Sequence, residues 1–244
     1  MLIPQKKKLE VKTGIIILCR YDSRRLPGKI LMKIDEKEVL KYIYERMSLV
    51  KSADKIIVAT SSESNDNAIA EFCRKNKWHC FRGPKDNVAK RILDCAKAFN
   101  LDYFVRISGD SPLMDPALVD QLIKLTLKGK LHLASNVKER SFPSGMSIEV
   151  LNTKFYGDII KRFKISADRE HVTAYLYRHE EYIGPHQYIY NSELPKAKEM
   201  KLSLDDEDDF NFISSLIENM KGNHAKFLLK DIYKLSQEIK YEKT

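Results

Sequence analysis

The stretch GIIILCRYDSRRLPGK, residues 14–29, joins a short run of apolar residues to a cluster of basic ones. Its first part, GIIILC at 14–19, is β-branched and free of polar residues, which is typical of a buried strand in a parallel sheet. In open α/β sheets, ligands bind beyond the carboxyl ends of the strands. The basic side chains that follow are therefore expected to meet an anionic ligand in a crevice: Arg20, Arg24, Arg25 and Lys29.

Pro27 and Gly28 shape the same basic segment. Proline disfavours a helix interior, and glycine lets the backbone approach a ligand closely. A solvated basic loop remains an equal alternative for any one of these cations taken alone. Four cations confined between a buried strand and a Pro-Gly turn favour the ligand-binding interpretation.

Strands and helices are predicted to alternate from residue 14 to about 135, which indicates βαβ units in a mostly parallel sheet covered by helices on both faces. Ser64 and Asp66, Asp86, and Asp115 with Pro116 are expected to cap three of the helices. The predicted strands are 14–19, 55–60, 78–81, 103–108 and 131–135, and the predicted helices are 38–50, 65–76, 87–99 and 116–127.

The pattern changes after residue 142, but no repeat and no linker rich in Pro, Gly or Ser interrupts the chain. We therefore expect a tail at 1–12 and one domain at 13–240. The predicted elements of this second part are strands at 147–151, 187–190 and 200–204 and helices at 153–163, 168–179, 206–220 and 225–239.

The composition narrows the class of protein. A hydrophobic fraction of 43% over 244 residues is enough for a sizeable core. The cysteines at 19, 73, 80 and 95 form no C-x-x-C pair, which favours reduced thiols in a cytosolic protein. The chain offers neither an apolar leader nor eighteen consecutive apolar residues, so we expect a soluble, cytoplasmic protein without membrane contact.

The net charge of +9 leaves two kinds of partner open. A nucleic-acid-binding module is one, although the lysines are scattered and form no zinc-finger, RNP or basic-zipper pattern. A small polyanion such as a nucleoside triphosphate is the other, because the same field would attract it. Solvated helix faces explain most of the lysines and charge alone does not decide between these partners, but we expect no nucleic-acid partner.

Two further strand ends carry acidic residues. RISGDSPLMDP, residues 106–116, places Asp110 directly after a predicted strand, and LSLDDEDDF, residues 202–210, does the same for Asp205. Such carboxylates suit Mg²⁺, which usually completes its coordination with phosphate oxygens. For Asp110 taken alone, a turn or helix N-terminal aspartate is the more common outcome, and most of the acids at 206–209 are expected to cap the next helix.

Nothing in the chain reads G-x-x-x-x-G-K-[ST], and no strand-turn-helix G-x-G-x-x-G is present. A P-loop and a dinucleotide-binding site are therefore disfavoured. A cationic loop together with two strand-end carboxylates suits phosphoryl chemistry, in which Mg²⁺, Arg and Lys neutralise the charge that develops on a leaving phosphate.

RYDSRRLPGK, residues 20–29, resembles the R-x-x-S-x-R-L-P-G-K signature of the cytidylyltransferases that make CMP-activated sugars. The resemblance is greatest to the SpsF-type members, which are relatives of 3-deoxy-manno-octulosonate and acylneuraminate cytidylyltransferases. RISGDSPLMDP is similar to a second segment of that family. Further similar segments are VATS at 58–61, FRGPKDNVAKR at 81–91, ASNV at 134–137, FPSGMSIEV at 142–150, EHVT at 170–173 and LSLDDEDDF.

The resemblance implies a nucleotide-binding α/β sandwich of the nucleotide-diphospho-sugar transferase, or GT-A-like, fold. It implies attack of a sugar hydroxyl on the α-phosphate of CTP with loss of pyrophosphate, in surface polysaccharide synthesis. Arg20, Arg25 and Lys29 would hold the triphosphate, while Asp110 and Asp205 would bind Mg²⁺. It also implies a homodimer formed through residues 142–190.

Further roles follow from the same resemblance. Nucleotide-binding positions are Ser23, Pro27, Gly28, Arg82, Lys85, Asn87 and Arg106, and acceptor-binding positions are Asn136, Glu149, Glu170 and His171. Ser147 stands where the family pattern usually has aspartate, so the acceptor sugar stays open, as does the choice of base. A GT-A glycosyltransferase is the alternative enzyme, although Gly-Asp-Ser at 109–111 replaces the Asp-x-Asp motif usual there.

Overall fold

The computed structural model describes residues 10–23 and 25–242, with side chains up to residue 239. Arg24 and most of the tail predicted at 1–12 lie outside the described residues. The remainder forms a mixed seven-stranded sheet with helices on both faces, and the predicted α/β architecture is confirmed.

The sheet has the strand order β5-β4-β1-β6-β8-β7-β9. The first four of these strands run parallel, β8 is antiparallel to β6 and β7, and β9 is parallel to β7. A small separate hairpin is formed by β2 and β3. The strands are β1 Thr13–Leu18, β2 Lys33–Ile34, β3 Lys37–Glu38, β4 Lys55–Ser61, β5 His79–Gly83, β6 Tyr103–Ser108, β7 Leu133–Ser135, β8 Glu149–Asn152 and β9 His186–Tyr188.

The α-helices of the described residues are α1 Val39–Met47, α2 Asn67–Lys75, α3 Val88–Ala98, α4 Pro116–Gly129, α5 Thr153–Ile159, α6 Ser166–Glu170, α7 Ala174–Arg178, α8 Glu207–Asn219 and α9 Leu229–Glu242. Short 3₁₀ helices are Lys29–Leu31, Ser64–Asp66, Lys138–Arg140, Ile160–Arg162, Glu180–Tyr182, Pro195–Glu199 and His224–Lys226.

Strand β1 is apolar from residue 14 to residue 18 because both of its faces are buried. Ile15 and Ile17 pack into the core that contains residues of α1, α4, α8 and α9. Ile16 and Leu18 pack into the core on the opposite face, beside residues of α3, α5 and α7. A central parallel strand covered on both faces is the arrangement that the run at 14–19 predicts.

Two predicted elements are wrong in part. The strand predicted at 200–204 is absent apart from a single bridge between Lys201 and Ser144, because its neighbouring amides bond to loops instead. Leu202 N–H donates to the Ser144 carbonyl and Leu204 N–H to the Asp110 carbonyl. The helix predicted at 168–179 is divided into α6 and α7 by a turn at 171–173.

The helix N-caps show which of the capping predictions from the local sequence are correct. Asp115 caps α4 as predicted, with its carboxylate accepting from the N–H groups of Ala117 and Leu118. The prediction for Asp86 is wrong, since Asn87 caps α3 through the Lys90 N–H. Asp66 stands at the cap position of α2 but makes no capping hydrogen bond with its side chain. Within the described residues, no helix is both long and apolar enough to cross a membrane.

Candidate active site

A cleft of about 880 Å³ opens at the carboxyl edge of the parallel strands. Its walls come from the basic loop after β1, the end of β6, the loop before α3, the segment 166–172 and Asp205. The predicted site residues that line it are Arg20, Ser23, Arg25, Lys29, Lys85, Arg106, Asp110, Glu170, His171 and Asp205. The topological rule for open α/β sheets therefore locates this cleft correctly.

The basic loop folds back on itself at Pro27 and Gly28. The Gly28 N–H donates to the carbonyl of Tyr21 at 2.8 Å, and Gly28 has φ +72°. A Cβ at this position would lie 3.0 Å from the Tyr21 hydroxyl oxygen, so glycine satisfies both the backbone angle and the close contact. Lys29 follows at once as the first residue of a 3₁₀ turn.

Lys29 lies between the two predicted metal ligands. Its ammonium nitrogen is 4.0 Å from a carboxylate oxygen of Asp110 and 3.8 Å from one of Asp205. Arg25 approaches the same Asp205 oxygen at 2.9 Å. The cations predicted to bind phosphate and the carboxylates predicted to bind Mg²⁺ thus form one cluster.

The two carboxylates are held together by backbone contacts. The Leu204 N–H donates to the Asp110 carbonyl at 2.8 Å, which ties the residue before Asp205 to Asp110. The Gly109 N–H donates to the Leu18 carbonyl at 2.8 Å, and a Cβ on Gly109 would lie 2.5 Å from the Cys19 Cβ. Only glycine permits this approach, which brings the end of β6 against the end of β1.

Behind Asp205, the acidic cluster caps helix α8. Asp206 and Asp209 form a capping box, and the Asp209 carboxylate also accepts from the Asp205 N–H at 3.0 Å. Lys201 pairs with Asp209 at 2.5 Å, and this hydrogen bond raises the pKa of the Lys201 ammonium. Capping by the acids at 206–209 is confirmed, while Asp205 alone among these acids lines the cleft.

Asp22 links a cation of the basic loop to a cation of the loop before α3. Its carboxylate lies 2.7 Å from the Lys85 ammonium and 3.8 Å from the Arg20 guanidinium. The hydrogen bond from Lys85 to Asp22 raises the pKa of that lysine. Arg20 also approaches Glu170 at 3.7 Å, so it spans from the basic loop to the opposite wall.

Asp66 fixes the start of the basic loop, a role that the sequence interpretation missed. Its buried carboxylate accepts from the N–H of Tyr21 at 2.7 Å and from that of Ser61 at 2.8 Å. Burial raises the pKa of this carboxyl, but hydrogen bonds from Ser61 and Tyr21 outweigh it and bring the pKa below its ordinary value. An ionised acceptor therefore anchors the loop that carries Arg20.

Six predicted ligand-binding residues do not line the cleft, namely Pro27, Gly28, Arg82, Asn87, Asn136 and Glu149. Arg82 donates to the Ser61 and Glu63 carbonyls and to the Asn67 side chain. These hydrogen bonds connect β5 to the loop after β4. Asn87 is used as the cap of α3. The Asn136 amide is buried and bonds to the backbone of Met146 and Ile148. These contacts give Arg82, Asn87 and Asn136 structural roles. For the buried Asn136 they correct the expectation of direct ligand contact, whereas for Arg82 and Asn87 that contact stays a prediction.

The remaining predicted site residues of this wall lie at different depths. Glu170 and His171 are exposed in the cleft wall, and Arg106 lies in the cleft lining. Glu149 is 1% exposed and does not line the cleft, so the expected direct contact with an acceptor is corrected. Its carboxylate binds Arg106 at 3.0 Å. Burial lowers the pKa of Arg106, but the attraction to Glu149 and Asp110 together with the hydrogen bond to Glu149 outweighs this and raises the pKa above its ordinary value.

Comparison with known proteins identifies the family. A cytidylyltransferase family model matches residues 14–237. The chain is 28% identical over 207 residues to the spore coat polysaccharide biosynthesis protein SpsF of Bacillus subtilis, covering 82% of this chain and 84% of that protein. It is 30% identical over 128 residues to a 3-deoxy-manno-octulosonate cytidylyltransferase of Pelobacter propionicus, covering 51% of this chain and 48% of that one.

A solved structure extends the similarity to three dimensions. The structure of a cytidylyltransferase from Leptospira borgpetersenii superposes with a TM-score of 0.88 at 28% sequence identity. The superposition covers 95% of this chain and 96% of that one, so the whole sheet and its helices belong to the shared fold.

Proposed function

The chain belongs to the cytidylyltransferase family of nucleotidyltransferases, and on that premise we propose that it transfers CMP from CTP to a hydroxyl group of an acidic sugar, with release of pyrophosphate. The activated sugar would serve the synthesis of a surface polysaccharide. The name of the Bacillus relative supports the polysaccharide, and the name of the Pelobacter relative supports a 3-deoxy sugar acid as the acceptor class.

The observation that supports this proposal most is the convergence of Arg25 and Lys29 on Asp110 and Asp205 at the carboxyl edge of the sheet. Three segments distant in sequence meet there, after β1, after β6 and before α8. Cations and carboxylates in one cleft can bind both a polyanionic triphosphate and the metal that accompanies it.

In the proposed reaction the sugar oxygen bonds to the α-phosphorus, and the bond from that phosphorus to the oxygen bridging to the β-phosphate breaks. Pyrophosphate departs with the bonding electrons, and the hydroxyl group loses its proton. Arg20, Arg25 and Lys29 bind the phosphates and stabilise the charge that develops on the leaving group. The Gly28 turn and the Asp66 anchor hold these cations in place before the substrate enters.

Mg²⁺ is proposed as the metal, with Asp110 and Asp205 as its protein ligands. The donor set fits, because both groups are carboxylates and both already face one cation, the Lys29 ammonium. Among the described residues, no cluster of three or more His, Cys, Asp or Glu side chains is arranged for a metal. A site with two carboxylates suits a metal that takes its other ligands from phosphate oxygens and water. Bound Mg²⁺ would neutralise charge on the phosphate oxygens.

Pyrophosphate release tests this function. The four nucleoside triphosphates are crossed with 3-deoxy-manno-octulosonate, N-acetylneuraminate and neutral amino sugars in the presence of Mg²⁺, with Asp110→Ala as the blank. We expect release with CTP and one acidic sugar and none from the blank. Release that does not require a sugar, or sugar transfer from a nucleotide-sugar donor without pyrophosphate, would contradict the proposal.

A further inference from the structure

A buried hydrogen-bond network lies beneath the acceptor-side wall of the cleft. The Glu149 carboxylate on β8 accepts from Arg106 of β6 at 3.0 Å, from the Thr173 hydroxyl at 2.5 Å and from the Tyr177 hydroxyl at 2.9 Å. Tyr177 is in turn within 2.6 Å of the Ser135 hydroxyl on β7. The network joins three strands of the sheet to the segment that carries α6 and α7.

The turn between α6 and α7 has an unfavourable backbone. Val172 has φ +25°, a value that β-branched residues rarely adopt and that persists only where the surroundings enforce it. The Val172 carbonyl accepts from the buried Tyr156 hydroxyl at 2.8 Å, and the adjacent Thr173 is bound to Glu149. The turn is therefore held from both sides.

Val172 and the two residues before it line the cleft. Glu170, His171 and Val172 line it together with Arg106, and Glu170 meets Arg20 across it at 3.7 Å. Strands β1, β6 and β8 are adjacent in that order, and at the cleft β1 leads into the basic loop, β6 leads to Asp110, and the antiparallel β8 begins at Glu149. The network therefore lies on one side of Asp110, and the basic loop lies on the other side.

We propose that Glu149 is a positioning residue for the acceptor sugar. Through Thr173 and Tyr177 it fixes the strained turn, and through Arg106 it fixes the cleft lining, so that both surfaces face the acceptor in one geometry. The identification of the bound group as the acceptor sugar rests on the proposed function. The role of the network in fixing the turn rests on its hydrogen bonds alone. Glu149 itself does not touch the substrate, because it is 1% exposed.

The variant that tests this is Thr173→Val, which removes one hydroxyl at nearly constant size. Thr126→Val is the matched control, since the buried Thr126 hydroxyl donates to the Leu122 carbonyl within α4, far from the cleft. Thr173→Ser restores the hydroxyl. With the acidic sugar active in the panel above, we expect Thr173→Val to raise the KM for the sugar about tenfold and the KM for CTP less than about twofold. Thr173→Ser should return the sugar KM close to the parent value.

Amide hydrogen exchange of residues 166–178 supplies a readout that needs no sugar. Thr173→Val should accelerate exchange at 171–177 and leave β1 and β6 unchanged, whereas Thr126→Val should leave the segment unchanged. Unaltered exchange in Thr173→Val overturns the proposal, as does an equal rise of both KM values. If the parent enzyme turns over no sugar, the proposed function fails, and the exchange data still decide whether Glu149 fixes the turn.

Discussion

The ammonium nitrogen of Lys29 lies 3.8 Å from a carboxylate oxygen of Asp205, and both side chains line the same cleft. Lys29 comes from the loop after the first strand, whereas Asp205 precedes helix α8 near the other end of the chain. The contact places a proposed phosphate ligand against a proposed metal ligand. Because the two groups are oppositely charged and adjacent, a change in one should alter cation binding at the other.

Replacement of Lys29 should therefore have opposite effects on metal binding and on turnover. We expect Lys29→Met to bind Mn²⁺ roughly thirtyfold more tightly without nucleotide, because the repulsion between a single and a double positive charge about 4 Å apart in water is about 2 kcal/mol. The same variant should lose activity by about a hundredfold or more. Mn²⁺ titration followed by electron paramagnetic resonance measures the first effect. Lys33→Met, whose residue pairs with Glu36 outside the cleft, is the control that should change neither.

Removal of a proposed metal ligand should abolish metal binding without unfolding the protein. Asp110→Asn keeps the shape of the side chain but loses its charge, and we expect kcat to fall by about a hundredfold or more. Asp208→Asn is the control, because Asp208 is an exposed acid in the first turn of α8. Calorimetric titration with Mn²⁺ in the presence of CTP reports binding. Equal affinity in Asp110→Asn and the control would remove Asp110 from the metal site.

The Asp66 anchor predicts a pH-dependent contribution to stability. The pKa of its carboxyl is lowered in the folded protein, so its stabilisation is present above the unfolded pKa and is lost as pH falls through the folded pKa. Asp66→Asn should destabilise the protein by about 2 kcal/mol at pH 7, and the difference should shrink below about pH 4. Urea denaturation of both proteins across this range measures it. A difference that stays constant down to acidic pH would contradict the ionised anchor.

Gly145 lies so close to the segment before Asp205 that no other residue fits at this position. It has φ +88°, and a Cβ there would lie 2.3 Å from the backbone of Leu202, in the segment that leads to Asp205. Gly222 has φ +77° with nothing within 4 Å of the corresponding Cβ, so it isolates the cost of the backbone angle. We expect Gly222→Ala to cost about 1 kcal/mol and Gly145→Ala about 2 kcal/mol more. Equal losses in thermal denaturation would show that the segment at 202 can move aside.

The homodimer predicted through residues 142–190 remains to be measured. Strand β9, which lies in this region, is an edge of the sheet and pairs only with β7 among the described strands. Light scattering at working concentration should give twice the chain mass of 28.4 kDa. A mass of one chain would exclude the dimer and leave the cleft complete within a single subunit.

The features that the sequence predicted correctly depend on local pattern or on sheet topology. The run at 14–19 is apolar because β1 is buried on both faces, and the basic loop reaches the cleft because it follows that strand. Asp110 and Asp205 were identified as residues at strand ends, and both line the cleft although 200–204 forms no strand. Helix α4 begins where Asp115 and Pro116 predict it.

The features that were missed depend on contacts between distant residues. Asp66 has the pattern of a helix cap, yet its carboxylate bonds to Tyr21, which lies 45 residues earlier. Asn136 and Glu149 are polar residues in segments similar to the family, but their partners place them below the cleft. No local pattern reports whether a polar side chain faces a ligand or the backbone of another segment.

The most direct test of the account follows the α-phosphorus of CTP. The enzyme is incubated with Mg²⁺, an acidic sugar and CTP labelled at the α-phosphorus, and the products are separated by charge. Transfer of the label to the sugar, with pyrophosphate formed in equal amount and both lost in Lys29→Met, is the predicted result. Label that stays in CTP for every sugar, in a protein that CTP does not stabilise against heat, would contradict the assignment of this cleft to cytidylyl transfer.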